Sequence, residues 1–161
     1  MHKSLAAAVL CALLIAGCLS NQKPAKNLPF AANASDEPVP LQLERLGFSS
    51  YGVDEQQDEK YGAMVLLGMN LSRTKGEVNR QVFEGFKALY NRNPAKDFYL
   101  IELSDNVGVL FFASRGVDLR AFARGEINAS EWDERNKKTM GELYERIDPL
   151  LDPSDAQAFV F

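Results

Sequence analysis

Side chains able to carry chemistry are few in this chain. It holds one histidine, His2, and two cysteines, Cys11 and Cys18, all at its N-terminal end. Beyond Cys18 the sequence offers neither imidazole nor thiol. A Ser-His-Asp triad, a Cys-His dyad or a metal site built on His or Cys therefore cannot be assembled there. Carboxylates and guanidinium groups remain. Glu102 stands inside an apolar run, with Asp105 just after it and Asp118 and Glu126 further along. Two acids held about 5–9 Å apart across a cleft would serve glycoside hydrolysis. The plainer role for Glu102 is the outward position of a half-exposed strand. Arg115, Arg120 and Arg124 are the cationic counterpart. Arg120 and Arg124 are four residues apart, hence on one helix face, and would clamp an anion by bidentate contacts. Their plainer role is a solvated face paired with Glu126 or Asp118. Arg120, Arg124 and Glu102 form the candidate ligand-binding set, and no residue is assigned as catalytic.

Other groupings carry less. Asp54, Glu55, Asp58 and Glu59 could supply oxygen ligands to calcium. They lack the spaced Asp/Asn series with a central glycine of an EF-hand and read as a solvated acidic loop. No metal and no cofactor is expected. Trp132 with Phe111, Phe112 and Tyr144 would make an aromatic platform for a sugar, but core packing is the default for such residues. Asn33, Asn70 and Asn128 each open an Asn-x-Ser sequon, a glycan acceptor in an exported chain.

The N-terminus has its own logic. Lys3 gives a cationic start, Leu5–Ile15 is an apolar stretch, and Ala16-Gly17 are small residues before Cys18. These are the parts of a secretory signal. The polar residues Ser20 to Lys23 end the run short of the roughly 20 apolar residues a spanning helix needs. Ile15-Ala16-Gly17-Cys18 resembles the lipobox of prokaryotic lipoprotein signal peptides. That resemblance covers residues 1–18 only. It implies cleavage between Gly17 and Cys18, a diacylglycerol thioether on the Cys18 sulfur, and a two-chain anchor that holds firmly where one chain would not. It also implies export to the outer face of the cell membrane or to the outer membrane, and Leu19 lacks the Asp that retains such proteins at an inner membrane. The alternatives are an ordinary signal peptide with an incidental Cys18, and an uncleaved helix.

The rest of the chain must position these candidates. Residues 18–40, with Pro24, Pro29, Pro38 and Pro40 among polar residues, read as a disordered tether spanning roughly 25 Å. Residues 41–161 read as a single domain. Leu41–Phe48 suggests a first strand, Gly52–Lys60 a polar loop, and Tyr61–Leu71 a buried strand. Thr74-Lys75-Gly76-Glu77 has the form of a capping box. The apolar spacing of Val78, Val82, Phe83, Phe86, Leu89 and Tyr90 then predicts a helix ending at Asn91–Pro94. Phe98–Leu103 and Val107–Ala113 flank the turn-forming Ser104-Asp105-Asn106 and predict an antiparallel hairpin. Asp118 is read as the cap of a short helix closed by Gly125, with Ile127 folding back. Ser130 opens a last helix with Trp132, Met140, Leu143, Tyr144 and Ile147 inward, stopped by Pro149. The apolar end, Ala156–Phe161, would dock as an edge strand or cover a groove.

The fold class that results is α+β: a single antiparallel four-stranded sheet in β-β-α-β-β-α-α order, with helices packed on one face. The formal net charge of −4 and the lack of a basic cluster argue against nucleic acid as a partner. The expected function is a lipid-anchored, non-enzymatic binding or assembly module. Its membrane contact runs through Cys18, and an envelope protein is its candidate partner. The alternatives are an envelope hydrolase working with carboxylates alone and an anionic-ligand-binding receptor subunit.

Overall fold

The computed structural model describes residue 30 and residues 36–72, 74–106 and 108–147. Within them the order is α1 (Val39–Arg45), β1 (Ser50–Asp58), β2 (Gly62–Asn70), α2 (Lys75–Arg92), β3 (Phe98–Ser104), β4 (Val109–Arg115), α3 (Gly116–Ala123) and α4 (Ala129–Ile147). The strands form one sheet in the order β1-β2-β3-β4. The α+β class holds. The sheet is mixed, not purely antiparallel: β1/β2 and β3/β4 are antiparallel pairs, while β2 and β3 run parallel. The reason lies in α2. A helix of 18 residues covers about 27 Å, enough to carry the chain from the far end of β2 back beside its start. Phe98 consequently pairs with Met64, not with Asn70.

Leu41–Phe48 is not a strand. Val39 and Leu43, four apart, are the buried face of α1, while Leu41 and Leu46 are exposed. Proline is tolerated at the start of a helix, where its missing N–H has no partner to lose, so Pro38 and Pro40 open α1 instead of preventing it. The acidic stretch expected as a loop is instead β1. Its pairing with β2 from Gly52↔Gly68 to Asp58↔Gly62 overrides poor strand propensity. As an edge strand it exposes Asp54, Glu55, Gln56 and Gln57, which discourages further pairing.

The capping box at Thr74 forms as expected, with Thr74 and Glu77 each accepting from the other's backbone N–H. The hairpin across Asp105 also forms, and Gly125 (φ 66°) ends α3. Two caps differ. Arg115, not Asp118, precedes α3, and Asp118 sits buried in its first turn. Asn128, not Ser130, caps α4: its Oδ1 accepts from Glu131 N–H (3.0 Å) and its own N–H donates to Glu131 Oε2 (2.9 Å).

Side chains alternate along strands, and both faces of this sheet are apolar. On the first, Val65, Leu67, Met69, Tyr99, Ile101 and Leu103 pack with α2, α1 and α3. On the second, Met64, Leu66, Phe98, Leu100, Phe111 and Ala113 pack with Tyr61, Met140 and Leu143. Helices therefore do not share one face. α4 begins on the first with Trp132 and reaches the second with Met140 and Leu143, rounding the β4 edge. Trp132 is 2% exposed, stacked on Phe122 (4.5 Å) and edge-on to Phe86 (5.6 Å). It is a core residue, not part of a sugar platform: Phe112 shares its face of the sheet while Phe111 points to the opposite one. Phe30, inside the stretch expected as tether, is 2% exposed among Phe83, Tyr90 and Phe122. Among the described residues no helix is long and apolar enough to cross a membrane. Pro149 and Ala156–Phe161 lie outside the described residues.

Candidate functional site

Segments far apart in sequence meet where β1 turns into β2 and β3 begins. A cavity of about 350 Å³ opens there, lined by Lys60, Tyr61, Asp97, Phe98, Arg115, Arg120 and Val117. The turn bearing Lys60 and Tyr61 is shaped by Asp58, whose Oδ1 accepts both their backbone N–H groups (2.8 and 2.9 Å). Arg115 is set by strand register, directly across from Phe98. Gly116 starts α3 against the turn before β3. A Cβ at this position would lie 2.0 Å from the Lys96 carbonyl oxygen, so only glycine fits. Its N–H donates to the Asp97 carbonyl (2.6 Å), and Arg120 Nη1 donates to the carbonyls of Pro94 (3.3 Å) and Lys96 (3.1 Å). α3 and the 94–97 turn are thereby locked together as one wall.

The lining is cationic. Lys60, Arg115 and Arg120 face one carboxylate, Asp97, and that carboxylate already accepts from Ala63 N–H (3.0 Å). Arg115 also reaches Glu142 of α4, outside the lining, so among the described residues three cations meet two acids. The Lys60 ammonium lies 5.3 Å from the Tyr61 ring centroid, a cation–π contact that leaves its donors free to turn toward an anion. Among the described lining residues, Asp97 alone does not make the pair of carboxyl groups that glycoside hydrolysis uses. Holding an anion by charge and guanidinium hydrogen bonds is the chemistry within reach.

The sequence candidates divide. Arg120 lines the cavity. Arg124 does not: it follows α3 and its Nη1 lies 3.8 Å from Glu126. Glu102 is on the second sheet face, its Oε1 accepting from the Tyr51 hydroxyl (2.7 Å), which in turn accepts from Ser104 Oγ (3.0 Å). The Tyr51 ring lies across Gly68, and burial pushes its hydroxyl pKa above the ordinary tyrosine value, opposed by the bond from Ser104. Glu102 and Arg120 therefore do not converge on one cavity. Asp105 accepts from Gly108 N–H in the hairpin turn (2.9 Å), and Asp118 accepts from Arg135 (2.8 Å), which raises the arginine's pKa further. Glu55 of the acidic stretch pairs with Lys96 (2.6 Å). Among the described residues no three His, Cys, Asp or Glu side chains group to hold a metal ion. Asn70 and Asn128 are exposed, and Asn128 carries the α4 cap besides its sequon. Cys18, Gly17 and Asn33 lie outside the described residues.

Lys60 and Asp97 are not among the sequence candidates. They come from two turns separated by β2 and α2, and neither belongs to a periodic stripe or a motif, so no local signal marks them. Compared with protein-family models, curated proteins and solved structures, the chain finds no match.

Proposed function

We propose that this chain is an exported, lipid-anchored module that binds a small anionic ligand in the cavity between the β1–β2 turn and α3 and does not turn it over. The observation that carries the reading is the convergence of Lys60, Arg115 and Arg120, from three separate elements, on one cavity with Asp97 as the single carboxylate among its described lining residues. The lipobox resemblance at Ile15–Cys18 supports export and anchoring through Cys18. The domain would then present the cavity at a membrane surface, as a receptor subunit or assembly module for an envelope partner.

The ligand arm is tested with inorganic phosphate and citrate against the purified full chain, by thermal shift and calorimetry. Either anion should raise the Tm, and Lys60→Glu should abolish that rise while leaving the unliganded Tm within about 2 °C, as for an exposed side chain. A Tm indifferent to both anions at millimolar concentration overturns the cavity as an anion site. The anchor arm is separate. Cys18→Ser should yield an unprocessed product that no longer carries lipid, and normal maturation of that variant overturns the anchor.

A further inference from the structure

We infer that the ligand of this cavity is an amphipathic monocarboxylate, one carboxylate group on an apolar body. This rests on the anion-binding reading above and adds the class of ligand. The cavity is too large for a bare ion. Its volume of about 350 Å³ lies at the lower end of the roughly 300–1,000 Å³ of pockets that take small organic molecules, whereas one water accounts for about 30 Å³. An inorganic oxyanion would fill little of that space, and an organic body would fill the rest.

The lining residues select the body. Tyr61 and Phe98 have ring centroids 4.4 Å apart and belong to the apolar cluster of the second sheet face. Val117 adds an aliphatic surface. It is 61% exposed, more than any other large hydrophobic residue among those described. Its place in the fold turns it to the cavity. Val117 follows Gly116 in the first turn of α3, and a helical side chain leans back toward the helix N-terminus. That end of α3 abuts the 94–97 turn through the bond from Gly116 N–H to the Asp97 carbonyl. An apolar body lying against Val117 would remove its surface from water.

Donors and charge select the head group. Arg120 Nη1 is held by the carbonyls of Pro94 and Lys96, and Arg115 Nη2 by Glu142. Each guanidinium is fixed by one nitrogen and keeps further N–H donors for the two oxygens of a carboxylate. Among the described residues Lys60, Arg115 and Arg120 meet Asp97 and Glu142, an excess of one positive charge. A single negative charge balances it, and a second would compete with Glu142 for Arg115.

The test is calorimetry on the purified full chain at pH 7 and fixed ionic strength. The probes are 3-phenylpropionate, propionate, the neutral 3-phenylpropanol and the dianion phenylsuccinate. 3-Phenylpropionate should bind at least about tenfold more tightly than propionate, the gain from burying part of a phenyl ring. It should also bind more tightly than the alcohol and the dianion. Val117→Ser should cut the advantage over propionate by about threefold or more, with the propionate affinity and the unliganded Tm unchanged, and Val117→Ile should keep it. Equal affinities for 3-phenylpropionate and propionate, tighter binding of phenylsuccinate, or a full advantage in Val117→Ser overturn the inference and leave the anion site standing. An alcohol that binds as tightly as the acid, or no binding of phosphate, citrate or any probe, overturns both the inference and the reading beneath it.

Discussion

Asn136 is 6% exposed, and among the described residues neither its Nδ2 nor its Oδ1 has a hydrogen-bond partner. A buried amide left so costs about 1–3 kcal/mol. Asn136→Leu, which keeps the branching at Cγ and removes the polar atoms, should therefore raise stability, by up to about 1 kcal/mol where the larger methyl groups are accommodated. In urea this appears as a higher midpoint at unchanged m-value. Tyr99 tests the opposite case, a buried polar group that is satisfied. It is fully buried, and its hydroxyl donates to the Asn93 carbonyl. Burial raises its pKa well above the ordinary tyrosine value of 10.0, with the nearby Arg120 opposing. The folded state thus holds the phenol proton more tightly than the unfolded chain. The resulting stability is complete below pH ~10 and is lost as pH rises from there toward the folded pKa, at up to about 1.4 kcal/mol per pH unit. Burial of Tyr144 acts with the same sign. Tyr99→Phe should lower stability at pH 7 by about 1 kcal/mol and flatten the alkaline slope, both read from urea titrations between pH 7 and 11.

At the scale of elements, Gly116 joins fold and site. Alanine is the better helix former by about 1 kcal/mol, yet its Cβ would press on the Lys96 carbonyl at 2.0 Å. The clash should win. Gly116→Ala is expected to destabilise by about 2 kcal/mol and to weaken anion binding, because the wall carrying Arg120 must move. Calorimetry with phosphate on this variant checks the second effect. Elements with local signals are legible in the sequence: the Thr74 box and apolar stripe of α2, the β3–β4 hairpin, the glycine closing α3, and Trp132, Met140 and Leu143 of the expected inward face of α4. Elements defined by their partners are not. β1 is a strand because β2 lies beside it, and nothing in Asp54-Glu55-Gln56-Gln57 says so. α1 resembles a strand because Leu41 and Leu43 mimic alternation, while the informative pair, Val39 and Leu43, straddles a proline. The parallel β2–β3 pairing depends on the length of α2, which shows in the sequence only as a span of helical spacing and not as a direction of return. The cavity is half legible: its arginines stand out by type and spacing, but Lys60 and Asp97 gain meaning only once two turns meet.

The whole molecule is shaped by a residue that composition assigns to the tether. Phe30 is 2% exposed in the aromatic group with Phe83, Tyr90 and Phe122. Were Cys18 the anchor proposed above, twelve residues would separate it from Phe30, against the twenty-two of a tether running to residue 40. A random coil of twelve residues would have a root-mean-square span of about 19 Å, against roughly 25 Å for one of twenty-two. If the proposed anchor holds, undocking Phe30 should lift the domain from the bilayer as well as loosen its core. Phe30→Ala is expected to cost about 3 kcal/mol in urea unfolding. Trp132 is the only tryptophan, so its fluorescence reports the height of the domain without labelling. In vesicles holding the lipidated chain and a dansyl headgroup acceptor, energy transfer from Trp132 should fall in Phe30→Ala relative to the parent. Loss of stability with unchanged transfer would separate the two roles, leaving Phe30 as core packing and assigning the standoff to other contacts.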